Sequence, residues 1–375
     1  MKTALFLFVG FCMSLLALAQ PAVAQPNPEP LNDCGTPTPA QPFVIPQAVF
    51  EAYQQKAALP ICVRVVITIF ADTDGSNVAT TEANVLRQFQ NMVDQYAPHN
   101  ICFLLQDIRQ VNNTDLNDQD ADTEGPELVP ARVANCLNIF VHNALPGYNG
   151  NAYAIPNYDG YISMNAGAIE STSNISTMGH EVGHVFGLYH THSKGFGNEK
   201  VARTGGCRNC LDAGDLLCDT PADPNQQTLP GQDYLNDFTN SSCVYSGTRQ
   251  DDCSTPATFV PSTRNMMAYG RRACRNQFTA DQGTRMRFFL DKPEFDYLIA
   301  TETLSVPGLS NTTRNGGTYL DVARDQVTTS PIFTLTITGS TRQQFIAKRI
   351  VFKPGTRITP TGSGRTSTLI NTYCD

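Results

Sequence analysis

His180-Glu181-Val182-Gly183-His184-Val185-Phe186-Gly187-Leu188-Tyr189-His190 is the stretch that decides how this chain is read. Residues four apart share one helical face, so His180 and His184 can aim imidazole nitrogens at one ion. Glu181 stands one position on, where its carboxylate can reach a water on that ion without ligating it. Gly187 can adopt the backbone that ends a helix and turns the chain. That turn lets His190 return as a third ligand. Three protein ligands leave a fourth position for water, the mark of a catalytic site rather than a structural one. The chain holds six histidines, and three of them fall in this motif. The full pattern arises by chance in on the order of one chain in ten thousand, which sets aside a coincidental pair of histidines. His192 is a rival third ligand, but Gly187 and the spacing favour His190. The chemistry implied is zinc-assisted hydrolysis, with Glu181 taking the proton from water and passing it to the leaving amine.

Outward from this motif, a helix is expected from about Ser173 to Tyr189, with Ile175, Met178, Val182, Val185 and Phe186 on its apolar face. Ile61 to Phe70 reads as a buried strand, being dense in β-branched residues. Thr80 to Tyr96 has helical spacing, and Pro98 stops it. Ile101 to Val111 and Leu137 to His142 read as further strands. Tyr153 to Met164 reads as a hairpin-like pair around Asn157 to Gly160. From His190 to Ser262 the chain is rich in Gly, Asn, Asp and Cys and has little periodicity, as in a region held by disulfides. Phe278 to Leu290 begins as a helix capped by Thr279. Residues 112–126 read as a solvated acidic loop, since the Asp spacing does not match an EF-hand.

The rest of the chain supplies context. Charged residues make up 16% and the net charge is −8, so nucleic acid and anionic lipid are poor partners. Residues 1–24 read as a secretory signal: Lys2, an uncharged run from Ala4 to Ala19, then Ala17-x-Ala19 and Ala22-x-Ala24. Cys12 lies inside that run behind Phe11, which argues against lipidation. No other stretch is long and apolar enough to span a membrane. Residues 25–58 begin Pro-rich and read as a pro-segment or linker. Residues 59–300 form the expected catalytic domain. Residues 301–375 are Thr- and Gly-rich with short β runs and no clear internal repeat. Within them, Phe345 to Gly355 resembles C-terminal β segments that serve sorting or attachment in other secreted proteins, and a small adhesive domain fits equally.

The extended histidine motif is completed by Asn265-Met266-Met267-Ala268-Tyr269, a candidate Met-turn. At these residues the sequence resembles the pappalysin-like metzincins, whose Asn-x-Met-x-Tyr maps onto Asn265, Met267 and Tyr269. Gly214 to Pro221 resembles that family's Asp-x-x-x-Asp-Thr-Pro segment. Phe278 to Gln282, with Arg285 and Met286, resembles the helix after its Met-turn. The likeness runs over roughly residues 60 to 290. It implies an α+β zincin/metzincin fold: a twisted sheet and active-site helix over an irregular lower subdomain, here followed by a small C-terminal β domain. It implies a secreted zinc endopeptidase acting on proteins or peptides. Met267 would be a base beneath the zinc, and Tyr269 a metal neighbour that donates to the oxyanion. Substrate would lie across the cleft as an added strand near Tyr153. The competing class is an inactive, zinc-stabilised binding or adhesion protein, but its expected mark, loss of Glu181, is absent.

Twelve cysteines, one inside the signal, leave an odd number in an exported chain. Cys34, followed by Gly35, has two readings of equal weight. It is a thiol that fills the fourth zinc position, as a pro-segment Cys-Gly does in related enzymes, or one half of a disulfide. Setting it aside leaves ten cysteines for five bridges. The resemblance implies Cys253 with Cys274 and Cys207 with Cys243. It also implies calcium near Asp212, Asp215 and Asp219, against a solvated acidic loop. Relatives that cleave before Arg or Lys have acids just after the Met-turn Tyr; this chain has Gly270-Arg271-Arg272. If Arg272 lines the primed-side pocket, acidic side chains are favoured there.

Overall fold

The computed structural model describes residues 32–56, 59–224, 234–306, 312–315 and 318–370. The signal reading at 1–24 and Cys374 lie outside them. The central strand is β2 (Ile61–Ala71), in which every residue but Arg64 is buried. A strand apolar on both faces needs cover on both. It pairs in parallel with β3 (Ile101–Asn112) on one side and β4 (Leu137–His142) on the other. β4 pairs in parallel with β6 (Tyr161–Asn165), and β6 pairs antiparallel with β5 (Tyr148–Asn151). A short N-terminal strand, β1 (Asn32–Cys34), adds in parallel to β5 and completes the six-stranded order β1-β5-β6-β4-β2-β3.

Helix α1 spans Gln47–Gln55 and α2 spans Glu82–Tyr96. Thr81 caps α2 by accepting from the Asn84 N–H, and Val85, Phe89, Met92, Val93 and Tyr96 are buried. The motif helix is α3 (Thr177–Val185), shorter than its apolar spacing predicts. The Asn174 side chain accepts from the N–H of Thr177 at 3.2 Å and fixes the start. Gly187, at φ 87°, ends the turn that follows. The Tyr96 hydroxyl donates to the Gly179 carbonyl at 2.8 Å and locks α2 to α3. Helix α4 (Ala280–Leu290) opens with the full capping box of Thr279 and Gln282.

The structure departs from the sequence expectations, or adds to them, at three points. The strand beside β6 is not at Tyr153 but at Tyr148–Asn151, and Tyr153 itself sits at φ 63°. Three of the four residues of that strand, Asn149, Gly150 and Asn151, are poor strand formers held in place by their neighbours. The stretch read as a pro-segment or linker is packed against the rest of the chain within residues 32–56. Phe43 packs edge-on against Phe289 with centroids 5.0 Å apart, and Ile45 and Phe50 join the main core. The Phe43 N–H donates to the Tyr189 hydroxyl at 2.8 Å, and Arg285 donates to the Phe43 carbonyl at 3.0 Å. Finally, the lower-region disulfides are Cys207–Cys253 and Cys243–Cys274, not the pairs implied by resemblance. Bridging depends on which Cβ atoms the fold brings together, not on order along the chain. Cys210–Cys218 and Cys62–Cys102 are also bridged. The five bridges expected are four among the described residues, where Cys34 and the buried Cys136 remain thiols.

The C-terminal β segment does contain a repeat. Strands β7 (Thr303–Val306), β10 (Gln326–Thr329) and β13 (Arg349–Val351) stack in parallel. So do β8 (Thr312–Asn315), β11 (Thr334–Thr338) and β14 (Arg357–Pro360). A third set is β9 (Thr318–Val322), β12 (Arg342–Ala347) and β15 (Arg365–Ile370). The result is a three-sided solenoid with a coil of about 23 residues. Val327, Phe333, Leu335, Ile337 and Phe345 fill its interior. Few positions repeat by residue type from one coil to the next, so the period is faint in the sequence. Val322 and Ile346 pack on the Cys62–Cys102 bridge, and Arg342 pairs with Asp107 at 3.1 Å. Among the described residues no helix is long and apolar enough to cross a membrane.

Candidate metal centre

His180 and His184 lie one turn apart on α3, and both are buried. The Nδ1 of His180 lies 2.6 Å from the Met266 carbonyl, and that of His184 lies 2.8 Å from the Leu188 carbonyl. A carbonyl only accepts, so both Nδ1 atoms carry the proton and both Nε2 lone pairs point away from it. They point at each other and at His190: the three Nε2 atoms are 3.0 to 3.2 Å apart. Ligands at tetrahedral angles on a zinc ion stand about 3.4 Å apart, given bonds of about 2.1 Å. Burial pulls the His184 pKa down to about 4 and takes His190 well below the usual range, which keeps both rings neutral and able to ligate.

Gly187 makes this geometry possible. Besides its positive φ, an added Cβ would come within 2.2 Å of the Phe289 ring. The turn it forms delivers the Leu188 carbonyl to His184 and swings His190 back. Beneath the histidines, Met267 lies so close to α3 that a Cβ on Gly183 would meet its Sδ at 2.8 Å. The Asn265 carboxamide accepts from the Met267 N–H at 2.8 Å and shapes the turn. Sequence reasoning singled out Met267 but missed Met266, whose carbonyl orients His180. It also missed Arg275, fully buried, which donates to Ser176 Oγ at 3.0 Å and to the Ala268 carbonyl at 2.8 Å. A basic residue in a basic stretch carries no sequence signal for such a role.

Cys34 meets the three histidines. Its Sγ and one nitrogen from each of His180, His184 and His190 all lie within 4.8 Å of one another. Among the described residues this is the one group of three or more His, Cys, Asp and Glu side chains near enough to share an ion. The thiol also donates to Glu181 Oε2 at 3.4 Å, and Thr36 Oγ1 donates to the same oxygen at 2.9 Å. Burial first, and then the Glu181 charge, raise the Cys34 pKa well above its usual value. Gly150 lets Glu181 in: a Cβ there would meet Glu181 Cγ at 2.6 Å. Nothing in the sequence marked that glycine. The Tyr269 hydroxyl donates to the Cys34 carbonyl at 3.3 Å, and its ring lies 4.8 Å from that of His190.

The acidic trio of the lower region is not one cluster. Asp212 is exposed. Asp219 caps α4 by accepting from Thr279 Oγ1 at 2.9 Å and from the Asp281 N–H at 2.8 Å. Asp215 is buried and accepts from the Leu217 N–H and from Gln282. Its neighbour is Glu199, which the sequence reading did not select. Burial, then the Asp215 charge, raise Glu199 to about 9; burial is also the largest cause raising Asp215 to about 7. Arg203 lies 3.0 Å from Glu199 Oε1, while Oε2 is buried without a hydrogen-bond partner. Arg272 is half-buried on the loop after Tyr269.

Residues 142–291 match the family model described as Pregnancy-associated plasma protein-A. An extracellular metalloprotease of Podospora anserina is 29% identical over 316 residues, covering 74% of this chain and 96% of that protein. An extracellular metalloprotease of Neurospora crassa is 26% identical and covers 72% and 93%. Mature mirolysin of Tannerella forsythia, solved with a cleaved peptide, aligns at a TM-score of 0.46 with 19% identity, covering 64% of this chain and 96% of that one. By this family match, residues 142–291 form a metalloprotease domain of the pappalysin family.

Proposed function

We propose that this chain is a secreted zinc endopeptidase made in a latent form, with Cys34 as the plug. The observation that carries this reading is the convergence of the Cys34 thiol with the three Nε2 atoms, while Thr36 and the same thiol hold Glu181. His180, His184 and His190 would hold the zinc. When bound, zinc supplies Lewis-acid polarisation of the scissile carbonyl and acidifies water. Glu181 takes the proton from the attacking water and returns it to the leaving nitrogen. Tyr269 donates to the oxygen on which charge develops. The rim for substrate is β5, whose outer edge β1 now covers; the Gly35 N–H donates to the Gly150 carbonyl at 2.8 Å. An extended peptide would take the same edge. An inactive, zinc-stabilised binding protein has no use for a base held by its own plug.

A second cation, calcium, fits the lower region at Asp215 rather than at Asp212 or Asp219. Asp215, Glu199 and the Thr220 hydroxyl beside Asp215 offer hard oxygen donors, and the buried Glu199 Oε2 lacks a protein partner. Arg272 in this reading favours acidic side chains on the primed side.

Three outcomes are expected. Full-length Cys34→Ala hydrolyses casein without an activation step, and adding Glu181→Ala lowers that rate by about 10²- to 10⁴-fold. Unchanged latency, or hydrolysis retained without Glu181, contradicts the assignments. For calcium, Asp215 and Glu199 carry folded pKa values of about 7 and about 9, above the unfolded value of about 4. The metal-free fold binds more protons than the unfolded chain in that window. It therefore loses stability as pH rises from about 4 to about 9. Calcium should remove that loss; a melting profile that is flat under chelation contradicts the site. Cleavage of a peptide library should show an acidic preference after the scissile bond, and a basic preference sinks the role of Arg272.

A further inference from the structure

His192 has no part in the scheme above, yet it touches two members of it. The backbone around it is pinned. The Thr191 N–H donates to the Met267 carbonyl at 3.1 Å, and Thr191 Oγ1 donates to Asp223 Oδ2 at 2.6 Å. The Ser193 N–H donates to the His190 carbonyl at 3.0 Å. With its backbone so fixed, the His192 ring lies 5.0 Å from the His190 ring and nearly parallel to it, at 19°. It also lies 4.4 Å from the Tyr269 ring, tilted by 56°. The His190–Tyr269 distance of 4.8 Å closes the triangle. His192 is half-buried.

The Tyr269 hydroxyl donates to the Cys34 carbonyl while the plug is in place. Removing the plug removes that partner. The phenol turns about two single bonds, and the rings packed on it then decide where its hydroxyl stands. We propose that His192 is a positioning residue for Tyr269: its ring braces the phenol so that the hydroxyl stays over the metal centre once the plug has gone. The bracing is a ring contact and needs no change of protonation. This inference rests on the reading of Tyr269 as the oxyanion donor.

The test uses the zinc-loaded Cys34→Ala chain, with a peptide substrate and with zinc affinity measured by chelator competition. His192→Ala should lower kcat about three- to tenfold, the size of one lost aromatic pair, with KM and zinc affinity unchanged. His192→Phe, which keeps a flat ring, should restore kcat. In a Tyr269→Phe background, His192→Ala should cost nothing further. An equal cost in both backgrounds overturns the inference, as does a fall in zinc affinity or a failure of His192→Phe to rescue. If Tyr269→Phe is slow but His192→Ala is not, the bracing alone is wrong. If Tyr269→Phe leaves kcat unchanged, the reading of Tyr269 falls and takes the bracing with it.

Discussion

Three imidazole lone pairs aimed at one buried point constrain everything around them. Each must be turned inward and kept neutral. His180 is turned by the Met266 carbonyl and His184 by the Leu188 carbonyl. The first partner exists because the Met-turn runs beneath α3. The second exists because Gly187 takes a backbone that other residues avoid. Neutral nitrogens facing one another at 3.0 to 3.2 Å repel unless a cation lies between them. Cation binding is therefore coupled to folding of this layer.

The proposed plug draws on the same constraint. A fourth ligand position is useful only if something can reach it, and in that proposal the approach is along the edge of β5. That edge is a row of unpaired backbone groups, which invites a strand. β1 takes the place and sets Cys34 opposite Gly150. The close approach of Gly150 to Glu181 then brings the rim, the base and the thiol into one contact set. The segment that follows is fastened separately: Ile45 and Phe50 join the main core, and Phe43 packs on Phe289.

Much of this was legible in the sequence, for identifiable reasons. β2 announced itself through unbroken β-branched residues, and α2 through its apolar spacing. The histidine pattern carries its own geometry, because helical periodicity and one glycine turn fix where three rings go. What escaped reading was set by tertiary contact. β5 is built from Asn and Gly that no propensity marks. Gly150 and the Met266 carbonyl act by proximity alone. The Asp215–Glu199 neighbourhood joins residues from two loops, which no spacing along the chain marks. The disulfide pairing could not come from order, and the solenoid repeat is one of shape more than of residues.

X-ray absorption at the zinc edge of the zinc-loaded full-length chain reads the ligand set at the three histidines. Three nitrogen scatterers at about 2.0–2.1 Å and one sulfur at about 2.3 Å are expected, with the sulfur lost in Cys34→Ala. A shell of nitrogen and oxygen alone in the full-length chain would contradict that ligand set.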